Sequence, residues 1–294
     1  MKLQRVKPLS GWMGGKRKVT PKIVQLLASY DSGKPQTGYG EAFAGMANVL
    51  LAKAPQVNEN INDINDNLVT LFDVVRTQRE ELIKSYQYVP ISRTIFLKYR
   101  DLFEKNVYDS SLHRAHVYLY LLLVGYGCKM DGFSAYISGA RMNSLNHNTL
   151  PGKIDGLWER LKNVNISCMP YDRFIDQLDD KNVVFFLDPP YFDVAGYGND
   201  IHWGEKEFHY FKEVCQSING GFVLTVNAKP LMYSLFEKDF HIIEHGVKYS
   251  MGHGEDEHAT PELLITNFTP STYAIRAIQT KDAAHTKIVQ ASMF

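Results

Sequence analysis

The chain is poor in cysteine. Cys128, Cys168 and Cys215 are odd in number and widely spaced, which excludes a disulfide framework and the C-x-x-C spacing of a metal site. Neither sign of charge is in excess: Lys+Arg and Asp+Glu number 32 each, so overall charge points to no partner. No apolar run reaches transmembrane length, and the N-terminus has no apolar signal core. The expectation is a soluble, cytoplasmic chain in a reducing setting, with no membrane partner. Internal repeats and low-complexity tracts are also missing. What is present is 45% apolar content over 294 residues, enough for a sizeable core in one domain or one plus an insertion. Charge is unevenly placed: Lys2, Arg5, Lys7, Lys16, Arg17, Lys18 and Lys22 all precede the first acid, Asp31. A phosphate-facing patch and a solvated basic terminus both fit that run.

The most informative stretch is Val183-Val184-Phe185-Phe186-Leu187-Asp188-Pro189-Pro190-Tyr191-Phe192. Its five apolar residues predict a central parallel strand buried on both faces. Proline lacks an N–H and restricts the residue before it, so Asp188 ends the strand. In open α/β sheets ligands bind beyond the carboxyl ends of strands. A carboxylate, a stiff Pro189-Pro190 turn and a ring at such an end suit a flat polar ring.

Earlier, Ser10-Gly11-Trp12-Met13-Gly14-Gly15-Lys16 precedes a helical pattern beginning near Thr20-Pro21. A phosphate-binding P-loop is excluded, because Ser10 and Arg17 stand where that motif needs Gly and Ser/Thr. Thr37 to Ala47 reads as a short strand and a small-residue turn before a helix start. Asp63 follows about twenty residues later, where nucleotide-binding α/β folds place an acid for ribose hydroxyls. A turn residue or helix N-cap is the other reading of Asp63. Helical spacing runs from Asn67 to about Tyr88, then over Ile95–Phe103 and Leu112–Val124. This block interrupts the strand–helix alternation like an insertion. A polar, glycine-rich loop or hairpin follows, and its Lys129, Arg141 and Asn143 are of the types that contact phosphates and base edges. After a helix near Gly156–Leu161, Val164–Cys168 reads as a strand ending at Tyr171–Phe174. A short helix then leads to the Asp188 strand. Val194–Trp203 reads as a flexible loop, Glu205–Ile218 as a helix, and Gly221–Asn227, Phe240–Glu244 and Leu263–Phe268 as strands. The Gly252–His258 loop is explained by acidic turn chemistry, so no metal is expected. The tail from Pro270 has weak periodicity and is expected to be mobile.

Taken in order, Trp12–Lys16, Glu41–Gly45, Asp63 and Asp188–Tyr191 resemble the Dam-like family (D12 class, alpha group) of DNA adenine-N6 methyltransferases. The resemblance covers roughly residues 8 to 268. It implies an α/β, Rossmann-like S-adenosylmethionine-dependent methyltransferase sheet of seven strands with an inserted, mostly helical target-recognition domain. The implied division is catalytic domain at 1–66 and 164–270, recognition domain at 67–163, and tail at 271–294. The resemblance also implies a methyl transfer from S-adenosylmethionine to N6 of a flipped-out adenine in double-stranded DNA. Trp12, Gly14, Lys16, Phe43 and Gly45 would then lie at the cofactor. Asp63, with Ile64 beside it, would hold the ribose, and Asp172 and Phe174 would border the cofactor adenine. Asp188 would touch both cofactor and base, and Lys129, Arg141 and Asn143 would meet DNA.

The chain departs from the family pattern in several places. Ala47 stands where members often have Gly, a mild change where φ is negative; Ala42 stands where they often have Pro. Gly11 replaces a lysine that contacts the target. Asp131-Gly132 and Arg141-x-Asn143 keep the recognition hairpin loosely. The chemistry follows from the acceptor, whose amino lone pair is delocalised into the purine. The Asp188 carboxylate and the Pro189 carbonyl, held by Pro190, would direct that lone pair through the two N–H groups, while Tyr191 stacks on the base. Adenine in structured RNA, another planar amine, and a catalytically silent DNA-binding module are the alternatives. Restriction–modification, phage self-protection and housekeeping methylation all fit.

Overall fold

A computed structural model describes residues 6–12, 14–126, 130–134, 145–193, 203–247, 260–279 and 286–289. In chain order the elements are α1 (Thr20–Ala28), β1 (Gly38–Glu41), α2 (Asn48–Ala52), β2 (Asn58–Asn62), α3 (Asp66–Thr77), α4 (Arg79–Ser85), α5 (Arg93–Glu104), α6 (Ser111–Val124), α7 (Leu150–Leu161), β3 (Val164–Ser167), α8 (Tyr171–Leu178), β4 (Val183–Leu187), α9 (Glu205–Ser217), β5 (Gly221–Asn227), α10 (Pro230–Phe236), β6 (His241–Val247), β7 (Thr260–Thr266), α11 (Thr272–Gln279) and β8 (Thr286–Val289).

Local chemistry explains many of these boundaries. Pro21 sits in the first turn of α1, where no intrahelical N–H bond is lost. Asn65, Ser92 and Ser110 cap α3, α5 and α6 with side-chain oxygens. The single helix expected from Asn67 to Tyr88 is two helices, because Gln78 adopts φ −137° and ψ 40° between them. Tyr171–Phe174 do not end a strand. β3 stops at Ser167, and Tyr171 opens α8 directly after Pro170, which has no N–H for a ladder.

The chain forms two compact units. One comprises Met1–Gly15, Ala44–Ala54 and Asn60–Pro170; the other comprises Lys16–Phe43, Pro55–Glu59 and Tyr171–Phe294. These divisions fall elsewhere than residues 66 and 163. The Trp12 turn, the Ala44–Ala47 turn and Asp63 belong with the helices, not with the strands that carry Asp188.

In the first unit α6 is buried at every position from Ala115 to Val124. A helix apolar all round belongs in a core, and α3, α4 and α5 pack around it. α7 covers α3 and α4, and β3 lies beside α3. In the second unit the strand order is β1-β4-β5-β7-β6-β8. β1, β4 and β5 run parallel, while β7 is antiparallel to both of its neighbours. β4 and β5 are buried throughout; β4 is a continuous apolar run, as a strand covered on both faces must be, and β5 carries Thr225 and Asn227 near its end. The tail expected to be mobile contains α11 and β8, and β8 pairs antiparallel with β6, a strand beyond the seven implied. Among the described residues no helix is long and apolar enough to cross a membrane.

Candidate active site

In the helical unit the site residues meet around Asp63. Gly15 N donates to Trp12 O at 3.0 Å, and Gly14 has φ 71° at the third position of that turn, a geometry that favours glycine. Gly45 has φ 48°, and a Cβ there would lie 2.7 Å from Trp12 Nε1, so indole and turn backbone are in direct contact. Gly45 N donates to Asp63 Oδ2 at 2.9 Å, and Asn65 N donates to Asp63 Oδ1 at 2.9 Å. Burial raises the Asp63 carboxyl above its ordinary range, and these two backbone bonds oppose that shift. Asp63 is not the N-cap of α3; Asn65 is. The Ile64 side chain next to it is exposed (54%). Buried Asn62 supports this corner by exchanging bonds with Met169 O and N at 2.9 and 3.0 Å. Ala47 has φ 52°, so the proviso under which Ala is a mild replacement for Gly fails there, and the left-handed backbone carries a Cβ.

In the other unit the site forms around Asp188, at the end of β4. Lys16 Nζ lies 2.9 Å from Asp188 Oδ1, and Thr225 Oγ1 donates to the same oxygen at 2.6 Å. Among the described residues none bonds Oδ2. The Asp188 carboxyl is raised chiefly by burial; Lys16 and the Thr225 hydroxyl pull it down, and Glu262 adds a smaller upward push. Lys16, expected at the cofactor, directs its ammonium to Asp188 and stands 4.4 Å from the Tyr191 ring centroid. The Tyr191 hydroxyl donates to buried Glu262 Oε1 at 2.8 Å. Of the basic N-terminal stretch, Lys16 and Lys22 are buried, whereas Lys7, Arg17 and Lys18 are exposed.

Phe43 is half-buried in an aromatic cluster, 5.2 Å from Tyr171, 5.7 Å from Trp203 and 6.1 Å from Phe211 between centroids. Asp172 Oδ2 accepts from the Tyr210 hydroxyl at 2.9 Å. Phe174 differs from expectation: it is 2% exposed, packed against β1 near Gly40, and offers no free face to a purine. The helical period of α8 turns Phe174 and Ile175 to the core and leaves Asp172 outside. Lys129, Arg141, Asn143, most of the Val194–Trp203 loop and the Gly252–His258 loop lie outside the described residues. Sequence reasoning missed Thr225, Asn227, Glu262, Tyr171 and Trp203. The first three carried a signal, since each is a polar residue set among apolar ones in its strand.

A carboxylate with one oxygen anchored and one open, at the end of a parallel strand before two prolines, is suited to an amino group on a flat ring. A model of the D12 class N6 adenine-specific DNA methyltransferases matches residues 12–251. The chain belongs to this family. It is therefore a site-specific DNA adenine-N6 methyltransferase that uses S-adenosylmethionine. Among curated proteins, the Type II methyltransferase M1.LlaDCHI of Lactococcus lactis subsp. cremoris is 25% identical over 294 residues, covering 90% of this chain and 96% of that protein.

The residues around Asp63 fit the methyl donor of a D12 enzyme. Each Asp63 oxygen receives one backbone N–H and keeps a lone pair for a hydroxyl, which matches a ribose diol. Gly45 brings bare backbone against Trp12, and exposed Ile64 offers an apolar surface. When bound, the cofactor supplies an electrophilic methyl group on a sulfonium.

Proposed function

We propose that the enzyme acts on duplex DNA and takes its target adenine out of the helix, with Asp188 and Pro189 receiving the amino group. The observation that carries this reading is the division of the Asp188 carboxylate. Lys16 and Thr225 both hold Oδ1, which orients Oδ2 for an N–H of the base. The carbonyl of Pro189, fixed by Pro190, takes the second N–H, and the nitrogen lone pair is then directed at the methyl group. N6 of a paired, stacked adenine is out of reach of such a recess, which supports extrusion of the base. Tyr191, 8% exposed and with Lys16 Nζ 4.4 Å from its ring centroid, is the ring assigned to the adenine.

In the helical unit, Trp12, Gly14, Gly45, Asp63 and Ile64 hold the cofactor, with Asp63 on the ribose. Residues 67–163 read the target. Support comes from Tyr126 N, which donates to Gly132 O at 2.7 Å, and from Arg100 Nη1, which donates to Asp131 O at 2.9 Å. Exposed Arg93 and Lys98 on α5 offer phosphate contacts nearby in the chain. A modification role beside a restriction enzyme follows the type II designation of the Lactococcus protein.

The test is transfer of labelled methyl from S-adenosylmethionine to duplex and single-stranded DNA, followed by sequencing of modified positions. Duplex DNA is expected to be the better substrate. Asp188→Ala is expected to abolish transfer while largely sparing cofactor-independent DNA binding. Turnover retained in that variant would overturn the assignment of Asp188. 2-Aminopurine at the target position is expected to brighten on binding; unchanged fluorescence would count against base flipping.

A further inference from the structure

Three polar side chains are buried in the strands beside the D-P-P-Y turn, where apolar residues would be the ordinary occupants. Thr225 and Asn227 end β5, and Glu262 lies on β7; their exposures are 0%, 5% and 0%. Asn227 and Glu262 are register partners in the antiparallel β5–β7 pair, and Thr225 is two residues before Asn227 on β5. Each reaches a different part of the turn. Thr225 Oγ1 donates to Asp188 Oδ1 at 2.6 Å, the Tyr191 hydroxyl donates to Glu262 Oε1 at 2.8 Å, and Asn227 Nδ2 donates to Phe192 O at 2.8 Å. Burying a polar group carries a free-energy penalty unless it is bonded, so three in one place need a common reason.

The turn itself supplies that reason. Two prolines remove two backbone donors, so the segment after Asp188 has fewer ladder bonds to hold it than an ordinary strand extension. A side-chain rack can replace them. It fixes the first, fourth and fifth residues of Asp188–Phe192 from one side. We propose that Thr225, Asn227 and Glu262 are positioning residues for methyl transfer: Thr225 reserves Asp188 Oδ2 for the adenine amino group, Glu262 sets the plane of the Tyr191 ring, and Asn227 anchors the segment at Phe192. The proposal rests on the reading of Asp188–Tyr191 as the adenine site.

The test measures kcat and KM for duplex DNA methylation by Thr225→Val, Glu262→Gln, Glu262→Leu, Tyr191→Phe and the Glu262→Leu/Tyr191→Phe pair, with Asp188→Ala as the reference. Thr225→Val is nearly isosteric and is expected to lower kcat about tenfold, with the cofactor KM within about twofold of wild type. Its acid-side inflection in kcat is expected to move up, because a donor that favours the Asp188 carboxylate is gone while Lys16 and Glu262 remain. Glu262→Gln keeps an acceptor for the Tyr191 hydroxyl and is expected to retain most of the rate. Glu262→Leu is expected to lose about tenfold in kcat, and the double variant, compared above the acid-side inflection where the Glu262 charge no longer affects Asp188 ionisation, to be no slower than Tyr191→Phe alone, since both changes remove the same bond. A wild-type kcat and pH profile in Thr225→Val would overturn the proposal, as would additive losses in the double variant. Should Glu262→Leu fail to fold, Thr225→Val and Glu262→Gln decide the matter. Full activity in Asp188→Ala would instead overturn the underlying site.

Discussion

Acidification should weaken the helical unit through one side chain, His116 of α6. The imidazole is 6% exposed, with Nδ1 2.8 Å from Ser85 Oγ and Nε2 3.1 Å from the Tyr99 hydroxyl; Tyr86 stacks on it at 4.4 Å. Ser85 Oγ also donates to Leu82 O, so it accepts from Nδ1–H, and Tyr99 donates to Nε2. The ring is therefore satisfied as neutral imidazole, and a proton on Nε2 has no acceptor in the Tyr99 hydroxyl's present orientation. Burial, with a smaller push from His113, lowers the His116 pKa from 6.5 to about 4. A base with a lowered folded pKa binds fewer protons in the native state than in the unfolded chain. Its stabilising effect is complete above about pH 6.5 and declines as pH falls toward 4. Each tenfold change in proton affinity corresponds to about 1.4 kcal/mol, so the full loss is about 3 kcal/mol. Urea unfolding of wild type and His116→Gln between pH 7 and 4 isolates this contribution, because Gln keeps a donor and an acceptor but does not titrate. The stability difference between the two should shift by about 3 kcal/mol in favour of the variant on acidification. Parallel pH dependences in the two proteins would refute the reasoning.

Other perturbations test the site directly. On the proposed ribose role of Asp63, Asp63→Ala should raise the cofactor Kd about 100-fold by calorimetric titration; an unchanged Kd would count against that role. Gly45→Ala places a Cβ 2.7 Å from Trp12 Nε1 at φ 48° and should both shift tryptophan emission and weaken cofactor binding. Wild-type emission and affinity would show that the contact yields at little cost. The proposed role of Asp188 needs its carboxylate, whose pKa burial raises, so kcat should fall on the acid side at a pH above the ordinary carboxylate range. Lys16→Met removes the cation that favours the charged form and should move that inflection further up; an unmoved inflection would dissociate Lys16 from Asp188.

The local motifs were legible because their causes are local. Five apolar residues, an acid and two prolines specify a buried strand and its end, and β4 runs from Val183 to Leu187. Gly14 and Gly45 both have positive φ, as their turns imply. A strand end at Tyr171–Phe174 would leave the Phe174 ring at the site, whereas the helical phase of α8 turns it inward. The condition set on Ala47, a negative φ, fails, and a residue's φ is not written in its identity.

From the sequence alone came the family resemblance, the central strand and its D-P-P-Y end, and the acid at Asp63. Only tertiary structure decided what holds them. Thr225 is 37 residues from Asp188 and Glu262 is 71 from Tyr191, and they meet because β7 enters antiparallel between β5 and β6 and brings Glu262 into register with Asn227. Strand pairing sets such contacts through register, and no short-range pattern in the chain encodes which buried polar residue will face which turn.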